Sequence, residues 1–286
     1  MPGDTPGNPG RRLEHRPRKQ SRVDGHGRST HAYGSVDCQR IRALALLRKD
    51  DRSGQNGSRA GETVLMRTES LGSSYLALPG GPGPCPGVVV VHEASGLNDN
   101  IRDICGRFAA EGYAALGVDL FEDRNRAVCM ARMFTGGMAG NLDYYGVPAL
   151  KAALGQLADH PEVDGARIGA IGFCLGGSIV LTWACTDNRL AAIAPFYGAA
   201  PKPRTAIRRM CPVVGSWPGK DFTTKAAGVL ETELTAAGIP HDLKVYPGAK
   251  HAFFNDQWRA YHSAAAADSW QRVLAFFAEH VRRGPP

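Results

Sequence analysis

The sequence predicts an α/β fold, with a mostly parallel central sheet covered by helices on both faces. From Glu62 onward, short apolar segments alternate with amphipathic ones, which is the pattern of strands and helices in such folds. The segment Val88–His92 contains four consecutive valines, as expected of a central strand buried on both faces. With 286 residues and no internal repeat, the chain predicts one α/β domain over residues 61–286.

The first 60 residues have a different composition, rich in Arg, Gly, Ser, Pro and Asp. They contain 13 Lys and Arg against 6 Asp and Glu, which accounts for the whole net charge of +7. One short apolar patch, Ile41–Leu47, cannot bury enough surface to offset the chain entropy, so we expect a disordered basic tail. A functional basic arm is the alternative. The rest of the chain is neutral, which argues against nucleic acid as a partner of the domain.

The sequence also bears on cellular location and on cofactors. No window approaches the roughly 18 to 20 consecutive apolar residues of a membrane helix, and the N-terminus lacks the apolar segment of a secretory signal. The seven cysteines form no CxxC pair, so neither a disulfide framework nor a zinc ribbon is predicted. We expect a cytoplasmic protein that does not bind membranes. The cysteines are Cys38, Cys85, Cys105, Cys129, Cys174, Cys185 and Cys211.

The first part of the domain is predicted to contain a hairpin, a strand, a helix and a second strand. Thr63–Met66 and Ser74–Leu78 form the hairpin, and a turn rich in Gly and Pro precedes the strand Val88–His92. In Asn98–Glu111 the apolar residues recur at helical spacing, and a glycine follows directly as a C-cap. Ala114–Phe121 is the next predicted strand.

The middle of the chain has a less regular pattern. Residues 122–145 contain aromatic residues, arginines and two adjacent glycines, and they predict a partly helical cap or loop. Val147–His160 predicts a helix with Pro148 in its first turn, where proline is tolerated because its missing N–H is not needed. A turn over Pro161–Gly165 follows.

The last part of the chain returns to strands and helices. Arg167–Phe173 predicts a strand that leads directly into a helix over Leu175–Ala184. The remaining predicted elements are the strands Ala191–Tyr197, Pro212–Trp217 and Asp242–Tyr246 and the helices Thr224–Ala237 and Ala260–Val281.

The junction Gly172-Phe173-Cys174-Leu175-Gly176 is the most informative motif. Glycines flank a nucleophile in this way where a strand turns sharply into a helix, because the backbone there is strained and the two elements approach closely. The motif predicts an α/β-hydrolase fold with Cys174 as nucleophile. At the helix N-terminus the dipole should favour its thiolate, and the Leu175 amide should face a developing oxyanion. The alternative is that Cys174 is a small buried hydrophobe.

A thiol nucleophile needs a base and an acid, which in this fold follow on loops after later strands. His251 follows the strand Asp242–Tyr246, and Asp221 follows the strand Pro212–Trp217. His251 is therefore the predicted base, and Asp221 is the carboxylate that holds its tautomer. The alternatives are an ordinary exposed histidine and a turn aspartate.

The loop after the strand Val88–His92 should supply the second oxyanion donor. We expect the amide of Ala94 to fill this role. Glu93 lies beside the expected nucleophile, where it could hydrogen-bond the thiol or exchange with the base as its partner. The alternative for Glu93 is an ion pair with Arg102 or Arg107 on the next helix.

These segments together resemble the dienelactone hydrolase family, whose members are also called carboxymethylenebutenolidases. The resemblance spans roughly Glu62–His280, and the combination is specific where the elbow alone would not be. It rests on Val91-His92-Glu93-Ala94-Ser95-Gly96-Leu97-Asn98, Gly112-Tyr113-Ala114-Ala115, Asp119-Leu120-Phe121, Gly172-Phe173-Cys174-Leu175-Gly176-Gly177, Tyr246-Pro247-Gly248-Ala249 and His251-Ala252-Phe253.

The resemblance implies a cofactor-free esterase or lactonase that opens strained enol lactones, with Cys174, Asp221 and His251 as its triad. It also implies that Glu93 lies near the resting thiol and that two arginines bind a substrate carboxylate. One of these arginines falls four residues after the base, where this chain has Asn255. This departure weakens the case for dienelactone itself.

The second arginine falls in the variable stretch before the elbow. Arg124, Arg126 and Arg132 are all available there, and each is alternatively a solvated surface charge. Three aromatic residues are candidates for the pocket wall or, alternatively, simple core residues: Tyr145, Tyr197 and Trp217.

The residues therefore predict a carboxylic ester hydrolase that acts on small esters or lactones through a cysteine. Lactones and enol esters are the expected substrates, because a thiolate attacks an activated ester more readily than an amide. The alternative function is a non-catalytic module that uses Cys174 as a redox or ligand-sensing thiol. The sequence leaves the oligomeric state open between a monomer and a homodimer.

Overall fold

The computed structural model describes residues 66–122 and 124–283. The predicted disordered tail, its boundary at residue 60 and the patch Ile41–Leu47 lie outside these residues. The strands are β1 (Arg67–Leu71), β2 (Ser74–Leu78), β3 (Cys85–Val91), β4 (Ala114–Val118), β5 (Val163–Phe173), β6 (Leu190–Phe196), β7 (Val213–Pro218) and β8 (His241–Tyr246). The α-helices are α1 (Asp99–Ala110), α2 (Arg126–Met138), α3 (Val147–Ala158), α4 (Leu175–Ala184), α5 (Lys225–Ala237) and α6 (Ser263–Phe277).

The strands form one sheet in the order β1-β2-β4-β3-β5-β6-β7-β8. β2 pairs antiparallel with β1 and β4, and the other six strands, β4, β3, β5, β6, β7 and β8, run parallel to one another. The carboxyl ends of these parallel strands therefore meet at one edge of the sheet, which is where open α/β sheets place their ligands.

Two apolar layers cover the sheet, one on each face. Alternate residues of β3 enter different layers, because successive side chains of a strand point to opposite faces. Val89 packs in the layer that contains residues of α3, α4 and α5, whereas Val88 packs in the layer that contains residues of α1 and α6. The predicted fold class, a mostly parallel sheet with helices on both faces, is confirmed.

The second strand of the opening hairpin has the predicted bounds, Ser74–Leu78. Leu71 pairs with Ser74, and Gly72 adopts a φ of 60°, so a two-residue turn sets the register of the two strands. The first strand of the hairpin is Arg67–Leu71. Of the predicted strand Thr63–Met66, only Met66 is among the described residues, and it lies outside the strand. The largely exposed, polar sequence of β1 has no apolar alternation that would have revealed it.

Helix α2 is more regular than the predicted partly helical cap or loop. Asn125 caps it by accepting hydrogen bonds from the backbone N–H groups of Ala127 and Val128. Only Cys129 and Met133 of its 13 residues are buried, so the helix leaves little apolar periodicity in the sequence. A short 3₁₀ helix at Arg204–Arg209 was also not predicted.

The C-terminal helix begins at Ser263, three residues after the predicted start, because the His262 side chain caps it by accepting a hydrogen bond from the Ala265 N–H. Five π-helical residues, Ala278–Arg282, extend its end. Among the described residues, no helix has the length and apolar character needed to cross a membrane.

Candidate active site

Cys174 occupies the sharp turn between β5 and α4. Its φ of 55° and ψ of −112° are unusual for a residue with a side chain, and such strained backbone is concentrated at functional sites. Its N–H donates to the Phe196 carbonyl at 3.0 Å, and its carbonyl accepts from the Ser178 N–H at 3.1 Å. The conformation is therefore secured from β6 on one side and by the first turn of α4 on the other.

The glycines around Cys174 are required by close backbone approaches. A Cβ atom on Gly176 would lie 2.4 Å from the Val91 carbonyl oxygen, and one on Gly172 would lie 2.4 Å from the Gly176 carbonyl oxygen. No side chain fits at either distance. The glycine spacing recognised in the sequence thus reflects the packing of α4 against the ends of β3 and β5.

The structure brings Cys174, His251 and Asp221 together at the carboxyl edge of the sheet. His251 lies on the loop after β8, and its Nε2 is 3.0 Å from the Cys174 Sγ. Its Nδ1 is 2.9 Å from Oδ2 of Asp221, on the loop after β7. Since the carboxylate accepts, Nδ1 carries the proton and Nε2 is left to accept from the thiol.

The Asp221 carboxylate is itself held in place. Its Oδ1 accepts from the Thr223 N–H at 2.8 Å and from the Thr223 hydroxyl at 2.5 Å. On the other side, the Phe222 ring stacks on the His251 imidazole with centroids 5.4 Å apart and an interplanar angle of 20°. Phe222 was not among the predicted site residues, although its position directly after Asp221 was a usable signal.

The Cys174 thiol has a pKa raised to about 11. Burial is the largest cause and the negative charge of Glu93 the next, while a hydrogen bond from the Leu175 N–H lowers the pKa and the charge of Asp221 raises it. The expected contribution of the helix N-terminus is present, since the Leu175 N–H lowers the pKa, but it does not decide the direction of the net shift. Burial and two carboxylates outweigh the helix amide, so the resting group at neutral pH is the thiol.

Glu93 is buried on the loop after β3, close to Cys174. Its Oε1 accepts from the Tyr197 hydroxyl at 3.1 Å, and its Oε2 accepts from Asn255 Nδ2 at 3.2 Å. Burial and the charge of Glu93 raise the Tyr197 pKa well above its ordinary value, so the phenol keeps the proton that it donates.

The predicted alternative partners of Glu93 have other contacts. Arg102 pairs with Asp99 at 3.3 Å on the surface of α1. The Arg107 guanidinium lies over the Trp270 ring, 4.2 Å from its centroid. The Glu93 carboxylate is thus bound by two neutral donors.

His92 fixes the loop that carries Glu93 and Ala94. Its ring is fully buried, and Nδ1 donates to the Glu93 carbonyl at 2.6 Å while Nε2 accepts from the Leu120 N–H at 3.0 Å. These two bonds define a neutral Nδ1–H tautomer and tie the loop to the end of β4. This role of His92 was not predicted, although a histidine directly after a central strand was a usable signal.

A cavity of about 300 Å³ opens beside Cys174. Both predicted oxyanion residues, Ala94 and Leu175, contribute to its wall. Most other lining side chains are apolar, and Lys202 is the one charged side chain among the described residues that line it. The principal additional lining residues, none of them predicted, are Met130, Met133, Phe134, Met138, Tyr144, Ser178, Ala200, Lys202 and Phe222.

Of the six predicted substrate contacts, only Tyr197 lies on this cavity wall. Trp217 is fully buried beneath the site, and its indole N–H donates to the Gly198 carbonyl at 2.9 Å. Asn255 is also buried, and its oxygen accepts from the Gln257 N–H at 3.0 Å while its amide binds Glu93. Neither side chain lines the cavity.

Of the remaining predicted contacts, Arg132 lies on α2, and Arg124 and Tyr145 lie on the loops before and after it. Arg124 is exposed and pairs with Glu122 at 3.2 Å. The Arg132 guanidinium lies over the Tyr145 ring, 6.0 Å from its centroid, and Tyr145 also bonds Arg124 at 3.3 Å. Arg126 lies 5.7 Å from the centroid of another aromatic ring. None of these side chains lines the cavity.

The sheet order and the turn at Cys174, followed by an acid and a histidine on later loops, define a protein of the α/β-hydrolase fold. Comparison with known proteins agrees. The model of the dienelactone hydrolase family matches residues 73–281, and the chain belongs to this family of hydrolases. A curated relative from Yersinia pestis, named "Putative carboxymethylenebutenolidase", is 30% identical over 243 residues, which cover 79% of this chain and 90% of the relative.

Solved structures show the same similarity. The crystal structure named "Putative Dienelactone Hydrolase" from Klebsiella pneumoniae is 29% identical, with a TM-score of 0.64, and the match covers 75% of this chain and 98% of that one. A dienelactone hydrolase-like promiscuous phosphotriesterase from metagenomic libraries is 27% identical, with a TM-score of 0.64, and the match covers 76% and 97% of the two chains.

Proposed function

We propose that this protein is a cysteine-dependent carboxylic ester hydrolase that acts on activated small-molecule esters or lactones. The observation that carries the proposal is the unbroken series of contacts from Asp221 through His251 to the Cys174 Sγ, at 2.9 and 3.0 Å, beside a cavity. Covalent catalysis uses this arrangement: the nucleophile lies within hydrogen-bond distance of a base, and a third group orients the base.

In the acylation step, Sγ of Cys174 attacks the substrate carbonyl carbon while its proton passes to Nε2 of His251. The carbonyl π-bond opens, and the backbone N–H groups of Leu175 and Ala94 stabilise the resulting oxyanion. As the carbonyl re-forms, the bond to the leaving oxygen breaks, and His251 gives its proton to that oxygen. Asp221 stabilises the imidazolium throughout.

In the deacylation step, His251 takes a proton from a water molecule, whose oxygen attacks the thioester carbonyl. The tetrahedral species collapses by breaking the C–S bond, and Cys174 recovers its proton from the imidazolium. The products are a carboxylic acid and an alcohol, or a hydroxy acid from a lactone. The chain and one water molecule supply every proton in the cycle.

The high pKa of Cys174 favours activated substrates. Because the resting thiol is protonated, attack requires proton transfer to His251, and the thiolate formed is a better leaving group than an ordinary alkoxide. A tetrahedral intermediate with a poor leaving group would therefore expel the sulfur and return to substrate. Aryl esters, enol esters and strained lactones have leaving groups that compete with the thiolate.

The test is hydrolysis of p-nitrophenyl acetate and dihydrocoumarin by the purified protein. We expect turnover that falls by roughly 10³-fold or more in Cys174→Ala and His251→Ala, and no loss in Cys185→Ala, whose buried thiol lies away from the cavity. Mass spectrometry should detect an acyl group on Cys174 when water attack is slow. Absence of turnover on every ester and lactone tested, or full activity in Cys174→Ala, would overturn the proposal.

A second candidate activity is hydrolysis of neutral phosphotriesters. The similarity to the metagenomic phosphotriesterase and the apolar wall beside Cys174 both support it. Diethyl p-nitrophenyl phosphate is the probe. Release of p-nitrophenol that disappears in Cys174→Ala would support this activity, whereas a single stoichiometric burst would mean that the thiol is phosphorylated without turnover.

A non-catalytic sensing role for Cys174 makes a different prediction. A sensor would form one stoichiometric adduct with iodoacetamide or peroxide and would show no ester turnover. If His251 activates the thiol, alkylation of Cys174 should be much slower in His251→Ala than in the wild type. Adduct formation without turnover would favour the sensor over the hydrolase.

A further inference from the structure

Helix α2 forms an apolar wall of the cavity opposite the elbow. It contributes Met130, Met133, Phe134 and Met138. Met133 is buried, whereas Phe134 is 59% exposed and Met138 is 73% exposed, so two large apolar side chains stand in solvent at the cavity. Exposed apolar groups that are grouped around a cavity mark a surface that binds an apolar ligand.

The flexible side chains of this wall suit a ligand of variable shape. Methionine has three rotatable bonds and a polarisable sulfur, and it adapts to different apolar partners better than a branched side chain does. Phe222 lies on the loop after β7, lines the same cavity and is also exposed, at 77%. The apolar surface therefore continues from α2 to the ring that stacks on His251.

The charges around Cys174 disfavour an anionic substrate. Glu93 and Asp221 both act on the thiol with their negative charges. The arginines of α2 lie off the cavity wall, and the one cation among the described lining residues, Lys202, is exposed. A carboxylate placed beside the nucleophile would meet two carboxylates and would lose hydration without gaining a buried cation.

We propose that the cavity selects uncharged esters with an extended apolar acyl chain, and that Phe134 and Met138 are specificity-determining residues that cover the far end of that chain. This inference rests on the proposed function. The acyl group remains on Cys174 through both half-reactions, whereas the leaving group is present only in the first. Burial of the acyl chain therefore stabilises both transition states.

The first experiment measures kcat/KM for p-nitrophenyl acetate, butanoate, hexanoate and octanoate. Each methylene that leaves water should raise kcat/KM roughly threefold to fourfold until the chain passes the cavity mouth. Two esters of similar size that differ in charge test whether the cavity prefers uncharged substrates. We expect p-nitrophenyl methyl succinate to react at least about tenfold faster than p-nitrophenyl hemisuccinate, which carries a free carboxylate.

The variants Phe134→Ser and Met138→Ser test the two named residues. In each, the octanoate-to-acetate ratio of kcat/KM should fall by about tenfold, because a polar group replaces the surface that covers the end of the chain. Val128→Ser is the matched control, since Val128 lies on the same helix, is 51% exposed and does not line the cavity. The octanoate-to-acetate ratio of kcat/KM in Val128→Ser should equal that of the wild type.

The outcomes separate this inference from the proposed function. If no ester is turned over, the proposed function fails. If esters are turned over but kcat/KM is flat or declines with chain length, or if hemisuccinate is preferred to its methyl ester, the inference fails while the function stands. The wild-type series can overturn the inference on its own, so the result does not depend on the folding of any variant.

Discussion

Asn255 donates a hydrogen bond from Nδ2 to Oε2 of Glu93 at 3.2 Å, and both side chains are buried. Tyr197 donates to the other carboxylate oxygen. Both donors are neutral, so they satisfy the hydrogen-bonding capacity of Glu93 without cancelling its charge. That charge acts on Cys174 and contributes to a thiol pKa of about 11.

Replacing Glu93 by Gln should lower the Cys174 pKa by about one pH unit, because a negative charge beside the thiolate is removed. At pH 8 a larger fraction of the thiol is then ionised, and alkylation by iodoacetamide should be up to tenfold faster. Peptide mass spectrometry of Cys174 at several pH values measures the rate. Glu111→Gln, at an exposed position after α1, is the control and should leave the rate unchanged. An identical pH profile in Glu93→Gln would show that this charge does not reach the thiol.

Replacing Asp221 by Asn should reduce kcat by roughly 10³- to 10⁴-fold without unfolding the protein. The amide oxygen can still accept from Thr223, but an amide that donates to Nδ1 of His251 stabilises the wrong tautomer. Steady-state kinetics measure the loss of kcat, and a thermal melt shows whether the variant is still folded. Asp242→Asn, which removes a surface ion pair with Arg272, should retain kcat. Wild-type kcat in Asp221→Asn would remove Asp221 from the proposed triad.

Replacing Gly176 by Ala should unfold the protein or destabilise it by about 3 kcal/mol or more. The new Cβ would lie 2.4 Å from the Val91 carbonyl oxygen and 2.6 Å from the His92 carbonyl oxygen, and both atoms are backbone. The control is Gly155→Ala in α3, where no atom lies within 4 Å of the new Cβ. This change should stabilise the protein by up to about 1 kcal/mol, since alanine favours helix. Urea denaturation of both variants measures the difference, and equal stabilities would contradict the close approach.

Alkaline pH should destabilise the protein through its buried thiols. Burial raises the pKa of Cys185 to about 12, whereas the same thiol in the unfolded chain ionises near pH 8.5. Below pH 8.5 both states keep the proton and stability is unaffected. Between pH 8.5 and about 12 only the unfolded state releases it, so each such thiol costs about 1.4 kcal/mol per pH unit. Denaturation at pH 8 and pH 10 should show a smaller loss in Cys185→Ala than in the wild type, and an equal loss would contradict the assignment.

Much of the fold could be predicted because its signals are local in the chain. The helix after the elbow has the predicted bounds, Leu175–Ala184, and the strand that precedes it ends at Phe173 as predicted. The bounds of helix α2 were not predicted because only two of its residues, Cys129 and Met133, enter the core, while its other apolar residues line a cavity or are exposed. An apolar periodicity develops only where a helix packs on one side against core residues.

The candidate site also has a part that the sequence predicts and a part that it does not. The order of Cys174, Asp221 and His251 along the chain follows from the order of the strands, so their meeting at one sheet edge could be expected. The cavity wall could not be predicted, because α2, Lys202 and Phe222 come from three separate segments and no sequence pattern links them. Tyr197 was the one predicted contact on the wall, and the predicted arginines face away from it.

The sequence by itself predicted the turn at Cys174, since glycines at 172 and 176 after an apolar strand allow the close strand-to-helix junction that the structure has. Only the tertiary structure decided the ionisation state of the Cys174 thiol. The helix N-terminus, which is a local feature of the chain, lowers the Cys174 pKa and so favours the thiolate. Burial and the charge of Glu93 raise the pKa by more, so the net shift is upward. Glu93 is in turn held by Asn255, 162 residues away in the chain. Desolvation and Coulomb interaction depend on distance in space, which no local pattern encodes.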